Sequence, residues 1–187
     1  VRYSDQQQEA AINNGMYLLG TSTPLPGTRP SSFVDGTSDD AWTPAANIEL
    51  RVVRNTFVYV SATRGFKSGG VNVSAVRPGD GVFRPELAWG YETGVKRTLA
   101  DGRGHVNAAL FYIDYRELQV SSFATAGVIA VSNSGRATSK ALEVEGAASL
   151  GQGLQFAGMF SWLDAYDRYG DTSGKRLRNA PEWSGSA

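Results

Sequence analysis

The sequence predicts an all-β fold, a run of antiparallel strands of the kind that forms a transmembrane β-barrel wall. Three observations lead there. Segments rich in β-branched and aromatic residues recur along the chain, and short and long polar interruptions alternate strictly between them. Within several segments apolar and polar residues also alternate by parity. Short turns at one rim and long loops at the other are what a transmembrane barrel shows, with the turns periplasmic and the loops extracellular, whereas a soluble sandwich has no reason to be so lopsided.

Taken in order, residues 1–4 end one strand, and a long loop over about 5–41 follows. The next strand, roughly 42–52, sets Ile48, Leu50 and Val52 against Asn47, Glu49 and Arg51. Val53-Arg54-Asn55 makes a tight turn into 56–66, where Val58 and Val60 mix with Phe57 and Tyr59, so its facing stays open. After a loop over 67–84, the strand 85–99 places Glu86, Ala88, Gly90, Glu92, Gly94 and Lys96 opposite Trp89, Tyr91, Thr93 and Val95. Ala100-Asp101-Gly102-Arg103 turns into 104–120, which carries apolar residues at both parities and also stays open. The loop 121–132 leads to 133–149, in which Leu142 and Val144 oppose Glu143 and Glu145. Gly151-Gln152-Gly153 then reverses the chain into 154–166, and the loop 167–178 precedes a last strand over 179–187. Several strands exceed the roughly 9–11 residues that cross a bilayer, and the excess is expected to project on the loop side. Parity alone does not say which face meets lipid, because a half-solvated soluble sheet alternates in the same way.

Composition narrows the field without deciding it. Eighteen basic residues balance eighteen acidic ones, so no net field points to nucleic acid, anionic lipid or an acidic substrate. The absence of cysteine removes disulfides, thiolate nucleophiles and zinc clusters. No apolar run approaches the roughly 20 residues of a spanning helix. The chain opens without Met or a signal-like stretch and closes on residues that read as a strand beginning, so it is expected to start and stop within a longer protein. Trp42, Trp89, Trp162 and Trp183 all fall near strand ends that adjoin long loops. Indole favours the membrane interface, where an apolar body meets a wet donor, so the four read as one aromatic girdle.

The motifs are more specific than the pattern. Residues 59–72 read YVSATRGFKSGGVN, 83–96 read FRPELAWGYETGVK and 105–120 read HVNAALFYIDYRELQV. An aromatic-rich strand ending in GFKSGG, then PE and YE-x-G-x-K, then an FY-x-DY core, then a variant of N-x-G-x-A (Asn133 to Ala137) with E-x-E (Glu143, Glu145), resembles the TonB-dependent outer-membrane receptors. The resemblance covers about 41–187 in order and spacing. It implies part of the wall of a 22-stranded, plugged barrel in the outer membrane of a Gram-negative bacterium. It also implies that residues 1–187 are a partial barrel domain, with the plug domain and the end of the barrel lying outside the chain.

Catalytic chemistry finds little support. His105 is the only histidine, which leaves a metal triad or a Ser-His-Asp site without partners. Glu143 and Glu145 could imitate a glycosidase pair, but read better as lumen charges paired with neighbours such as Lys96. Gly102-Arg103-Gly104 and Gly151-Gln152-Gly153 precede no helix and read as turns, not phosphate loops. Asp35, Asp39 and Asp40 lack the ligand spacing of a calcium loop. Arg64, Phe66 and Lys67 sit where a strand meets an outer loop, and cations beside an aromatic there could meet an anionic iron chelate.

The resemblance implies a receptor and not an enzyme, with no resident cofactor or metal. It implies capture of a ferric siderophore or a similar small ligand by loops and plug, and uptake energised through TonB. Outer-membrane lipid would surround the wall, and nucleic acid has no part. Two alternatives of other classes are a soluble glycan-binding β-sandwich and a passive porin or autotransporter barrel.

Overall fold

The computed structural model describes residues 1–14, 22–23, 31–75, 77–99, 102–123, 129–169 and 173–187. Among the described residues there are thirteen strands: β1 (Arg2–Asn14), β2 (Ser31–Thr43), β3 (Ala45–Val53), β4 (Thr56–Lys67), β5 (Gly70–Val71), β6 (Val82–Phe83), β7 (Glu86–Leu99), β8 (Gly104–Arg116), β9 (Gln119–Phe123), β10 (Ile129–Asn133), β11 (Arg136–Gly151), β12 (Leu154–Asp167) and β13 (Trp183–Ser186). Seven make one antiparallel sheet in the order β13-β12-β11-β8-β7-β4-β3, and three two-stranded hairpins, β1-β2, β5-β6 and β9-β10, extend from it on the long-loop side.

The hairpins correct part of the sequence reading. Residues 5–14 and 31–41, expected within a loop, pair continuously from Arg2↔Thr43 to Asn14↔Ser31. Their small polar residues hide strands from a search for β-branched runs, yet pairing along a long hairpin satisfies their backbone whatever their side chains, with only Ile12 and Ala41 buried. Pro44, which has no N–H to donate, separates β2 from β3. The expected strand 104–120 breaks at Glu117, whose positive φ of 55° turns the chain out of the sheet into β9. The expected last strand shortens to Trp183–Ser186. The tight turns stand as read: Asn55 takes φ 67° and Gln152 φ 51°. Ala100 and Asp101 of the middle turn lie outside the described residues.

Directly opposed residues of antiparallel strands share a face, so the register sorts every side chain. One row runs Ile48, Val60, Thr93, Leu110, Leu142, Trp162, Trp183, and the next runs Leu50, Val58, Val95, Ala108, Val144, Phe160. The other face carries Glu49, Tyr59, Gly94, Ala109, Glu143, Ser161, and beside them Arg51, Phe57, Lys96, Asn107, Glu145, Met159. Both strands whose facing the sequence left open are thereby settled. Val58, Val60, Val106, Leu110 and Tyr112 join the apolar face; Phe57, Tyr59, Asn107 and Phe111 join the polar one.

Nothing among the described residues covers the apolar face. Ile48 is 69% exposed and Leu50 62% exposed, and the buried hydrophobics are Ile12 and four alanines. A Leu or Ile side chain moved out of water gains about 1.5–3 kcal/mol, so a continuous apolar sheet face left bare in water is untenable. The geometry is that of a wall whose apolar face contacts hydrocarbon.

Two independent markers show how the wall tilts. Below the row through Ile48, Thr93 and Leu142, the last paired residue before each turn lies five residues on in β3 (Val53), six in β7 (Leu99) and nine in β11 (Gly151). Above that row, Trp42 lies six residues back along its strand and Trp89 four, while Trp162 and Trp183 lie in it. Turns and indoles thus shift together by about one residue per strand. With about 3.3 Å per residue and 4.8 Å between strands, that stagger is a tilt of roughly 35°, within the range of closed barrels. At this tilt the four indoles are level, and the apolar band between them and the turns is about 25 Å tall.

Candidate functional site

The polar face explains the Y-E-x-G-x-K motif. Tyr59 points across Gly94, where an added Cβ would stand 2.6 Å from the Ala108 carbonyl and 2.7 Å from the Tyr59 ring, so only glycine admits the ring. The Tyr59 hydroxyl donates to Glu92. The Lys96 ammonium sits 4.8 Å from the Tyr59 ring centroid, and Arg51 stands at the same distance from Phe57. Asn107 Nδ2 donates to Glu145 Oε1 at 2.8 Å. The expected pairing of Lys96 with the E-x-E carboxylates is therefore replaced by contacts through Tyr59 and Asn107. A cavity of about 190 Å³ lies among Tyr59, Glu92, Lys96, Asn107 and Glu143. His105 lies on this face, opposite Thr98 and Ala147 near the short turns.

On the long-loop side two asparagines tie three loop segments together. Asn72 Nδ2 donates to the Val131 carbonyl at 2.7 Å while its Oδ1 accepts from the Val131 N–H at 2.8 Å, so a side chain stands in for a neighbouring strand. Asn133 does the same for Arg84, accepting from its N–H at 2.8 Å and donating to its carbonyl at 2.9 Å and to that of Glu117 at 2.8 Å. Glu86, of the Pro-Glu pair, accepts the Gln119 N–H at 2.7 Å, and Gln119 Nε2 donates to the Ser68 carbonyl at 2.8 Å. Gly69 of the Ser-Gly-Gly run donates its N–H to Asp39 at 2.8 Å and lies so close to the Phe83 carbonyl that a Cβ would collide with it. Asp35 accepts the Gly79 N–H at 2.7 Å. Asp35 and Asp39, weighed from the sequence as calcium ligands, are engaged in holding loop backbone.

Arg64, Phe66 and Lys67 end β4 on two different faces. Lys67, opposite Glu86, follows Tyr59 and Ser61 on the polar face and is exposed. Arg64, opposite Trp89, and Phe66, opposite Leu87, follow Val58 and Val60 on the apolar face. One Nη of Arg64 donates to the Trp42 carbonyl at 3.2 Å. The sequence placed these residues at the rim but not on their faces, and it did not assign Asn72, Asn133 or Gln119 a role. Asn133 was signalled only as the first residue of the N-x-G-x-A variant, and Asn72 and Gln119 carried no signal beyond a polar amide near a loop, which many solvated segments share.

Comparison with known proteins supplies the family context. The family model described as TonB dependent receptor-like, beta-barrel, matches residues 1–187. The metal-pseudopaline receptor CntO of Pseudomonas aeruginosa is 25% identical over 187 residues, covering 99% of this chain and 24% of that protein. Among solved structures, the ferric yersiniabactin uptake receptor FyuA of Yersinia pestis superposes with a TM-score of 0.69 at 19% identity, covering 98% of this chain and 26% of that one. The siderophore receptor PiuA of Acinetobacter baumannii superposes with a TM-score of 0.68 at 16% identity, with the same coverages. The chain thus spans about a quarter of the length of the relatives it matches.

Proposed function

The chain belongs to the TonB-dependent receptor-like β-barrel family, and from that premise we propose that the whole protein takes up a scarce nutrient, most simply a ferric siderophore, across the outer membrane. The observation that carries the reading is the family match over the full chain, on a wall whose two faces the register resolves. In this reading residues 1–187 supply a sector of a 22-stranded barrel, the polar face with Glu92, Lys96 and Glu143 lines the lumen around a plug domain, and TonB acts through that plug. Relatives named for metal-pseudopaline and ferric yersiniabactin favour a metal chelate as cargo. The bare apolar face leaves no place for the sandwich alternative, and the family match favours a receptor over a passive barrel.

Of the three rim residues, Lys67 is the one we carry forward as a ligand contact, since it is exposed on the lumen side. A deletion strain should lose growth on at least one chelated iron source; undiminished growth on all of them would count against uptake. In the complete receptor, Lys67→Ala should weaken binding of that chelate while Arg64→Ala leaves it unchanged.

A further inference from the structure

The polar face changes character toward the short turns. Thr98, His105, Ala147 and Ala157 are directly opposed in one row. The Ser149 N–H donates to the Arg103 carbonyl at 2.7 Å, and Ser149 is opposed to Gln155, so Arg103, Ser149 and Gln155 make the last row before the turns. Parity puts both rows on the side of Lys96, Asn107 and Glu145, facing the lumen. A cavity of about 480 Å³ lies over them, within the range of small-molecule sites.

The lining of this cavity has one chemical bias. Arg103 carries five N–H donors, His105 supplies at least one in either protonation state, and Thr98, Ser149 and Gln155 add hydroxyl and amide donors. The two alanines leave the floor open. Among the described residues no carboxylate lines the cavity; Asp101, in the turn before Arg103, lies outside them. In the row above, Glu145 accepts from Asn107 and shares that row with Lys96 and Arg51. Donors around a fixed positive charge, with no acid competing for them, suit an oxyanion. All five donor side chains are exposed, so each contact is weak, and a site on a transport path must release what it binds.

We propose that this pocket is an exit-side site for the cargo: an anionic metal chelate, its carboxylates or other oxyanions meeting Arg103 and His105, rests here before leaving the lumen for the periplasm. From Glu86, opposite Lys67, to Thr98 is twelve residues of β7, roughly 40 Å at about 3.3 Å per residue. One small chelate does not span that distance, so the pocket is separate from the rim contact at Lys67. The proposal rests on the uptake reading above and adds to it a charge class for the cargo and a second stop on its path.

The test uses the complete purified receptor with a fluorescent dye on Gln152→Cys, in the turn beside the cavity, titrated with citrate or with its uncharged trimethyl ester. Citrate should quench the dye saturably and the ester should not. Arg103→Gln, which removes the charge and keeps donors, should weaken the citrate response about three- to fivefold, as expected for one solvent-exposed charge contact. Ala147→Leu, which fills the floor without touching the charge, should weaken it as much, and Lys67→Ala at the far rim should leave it unchanged. Absence of saturable quenching, an equal response to the ester, or wild-type affinity in both Arg103→Gln and Ala147→Leu would overturn the proposal. Binding is read here without transport, so a receptor that supports growth on a chelate but shows no such response sinks the exit site and leaves uptake standing.

Discussion

At the residue scale, Gly94 and Tyr59 show how a strand glycine is made useful. Glycine within a strand forfeits packing and backbone entropy, but here the vacated surface is occupied by an aromatic ring from the neighbouring strand, which also carries a hydroxyl to Glu92. Gly94→Ala should therefore destabilise the folded barrel by about 1–3 kcal/mol, the cost of overpacking a filled site, as read from urea unfolding in lipid vesicles. Tyr59→Phe keeps the ring and removes only the donor, so it should cost less, about 0.5–1.5 kcal/mol. If the two ranked the other way, ring packing over Gly94 would not be the main contribution. The spacing of Glu92, Gly94 and Lys96 was legible in the sequence, but the tyrosine that all three serve sits 33 positions before Glu92 and was not.

At the scale of elements, the loops behave as linked pieces of sheet. Asn72 and Asn133 each use a planar amide, with donor and acceptor side by side, to imitate a strand edge. Asn133→Asp removes the donors to Arg84 and Glu117 and sets a carboxylate against those carbonyls, so it should free the β9–β10 hairpin more than Asn133→Ala does. Limited proteolysis of intact cells should show faster cleavage within 117–135 in the order Asp, Ala, wild type, with the transmembrane strands still protected. Cleavage at the wild-type rate in both variants would mean that the hairpin is held by other contacts. The long first loop gave way to β1 and β2 for a related reason. Its Gln-, Ser- and Asp-rich strands pair along a continuous backbone ladder, and propensity, which reports side-chain packing, is blind to that.

For the whole molecule, the decisive property is which face meets hydrocarbon. Ala108 and Ala109 are chemically identical neighbours on opposite faces: Ala108 lies between Val95 and Val144, Ala109 between Gly94 and Glu143. Ala108→Arg places a charge near mid-bilayer and should cost about 2–4 kcal/mol, measured by urea-titrated insertion of the complete barrel into vesicles. Ala109→Arg points toward the lumen carboxylates and should cost far less. Equal penalties would contradict the facing derived from the register. The common stagger of turns and indoles makes the same point geometrically, because both follow one plane only if the strands cross a slab at a tilt.

The sequence by itself determined the fold class, the alternation of turns and loops, the family resemblance and the membrane girdle, because each depends on residue type at positions close along the chain. Tertiary structure alone decided the facing of β4 and β8, the roles of Asn72 and Asn133, and the separation of Arg64 from Lys67. Those depend on register between strands. Where apolar residues occupy both parities of one strand, only the neighbour's pairing says which of them looks outward.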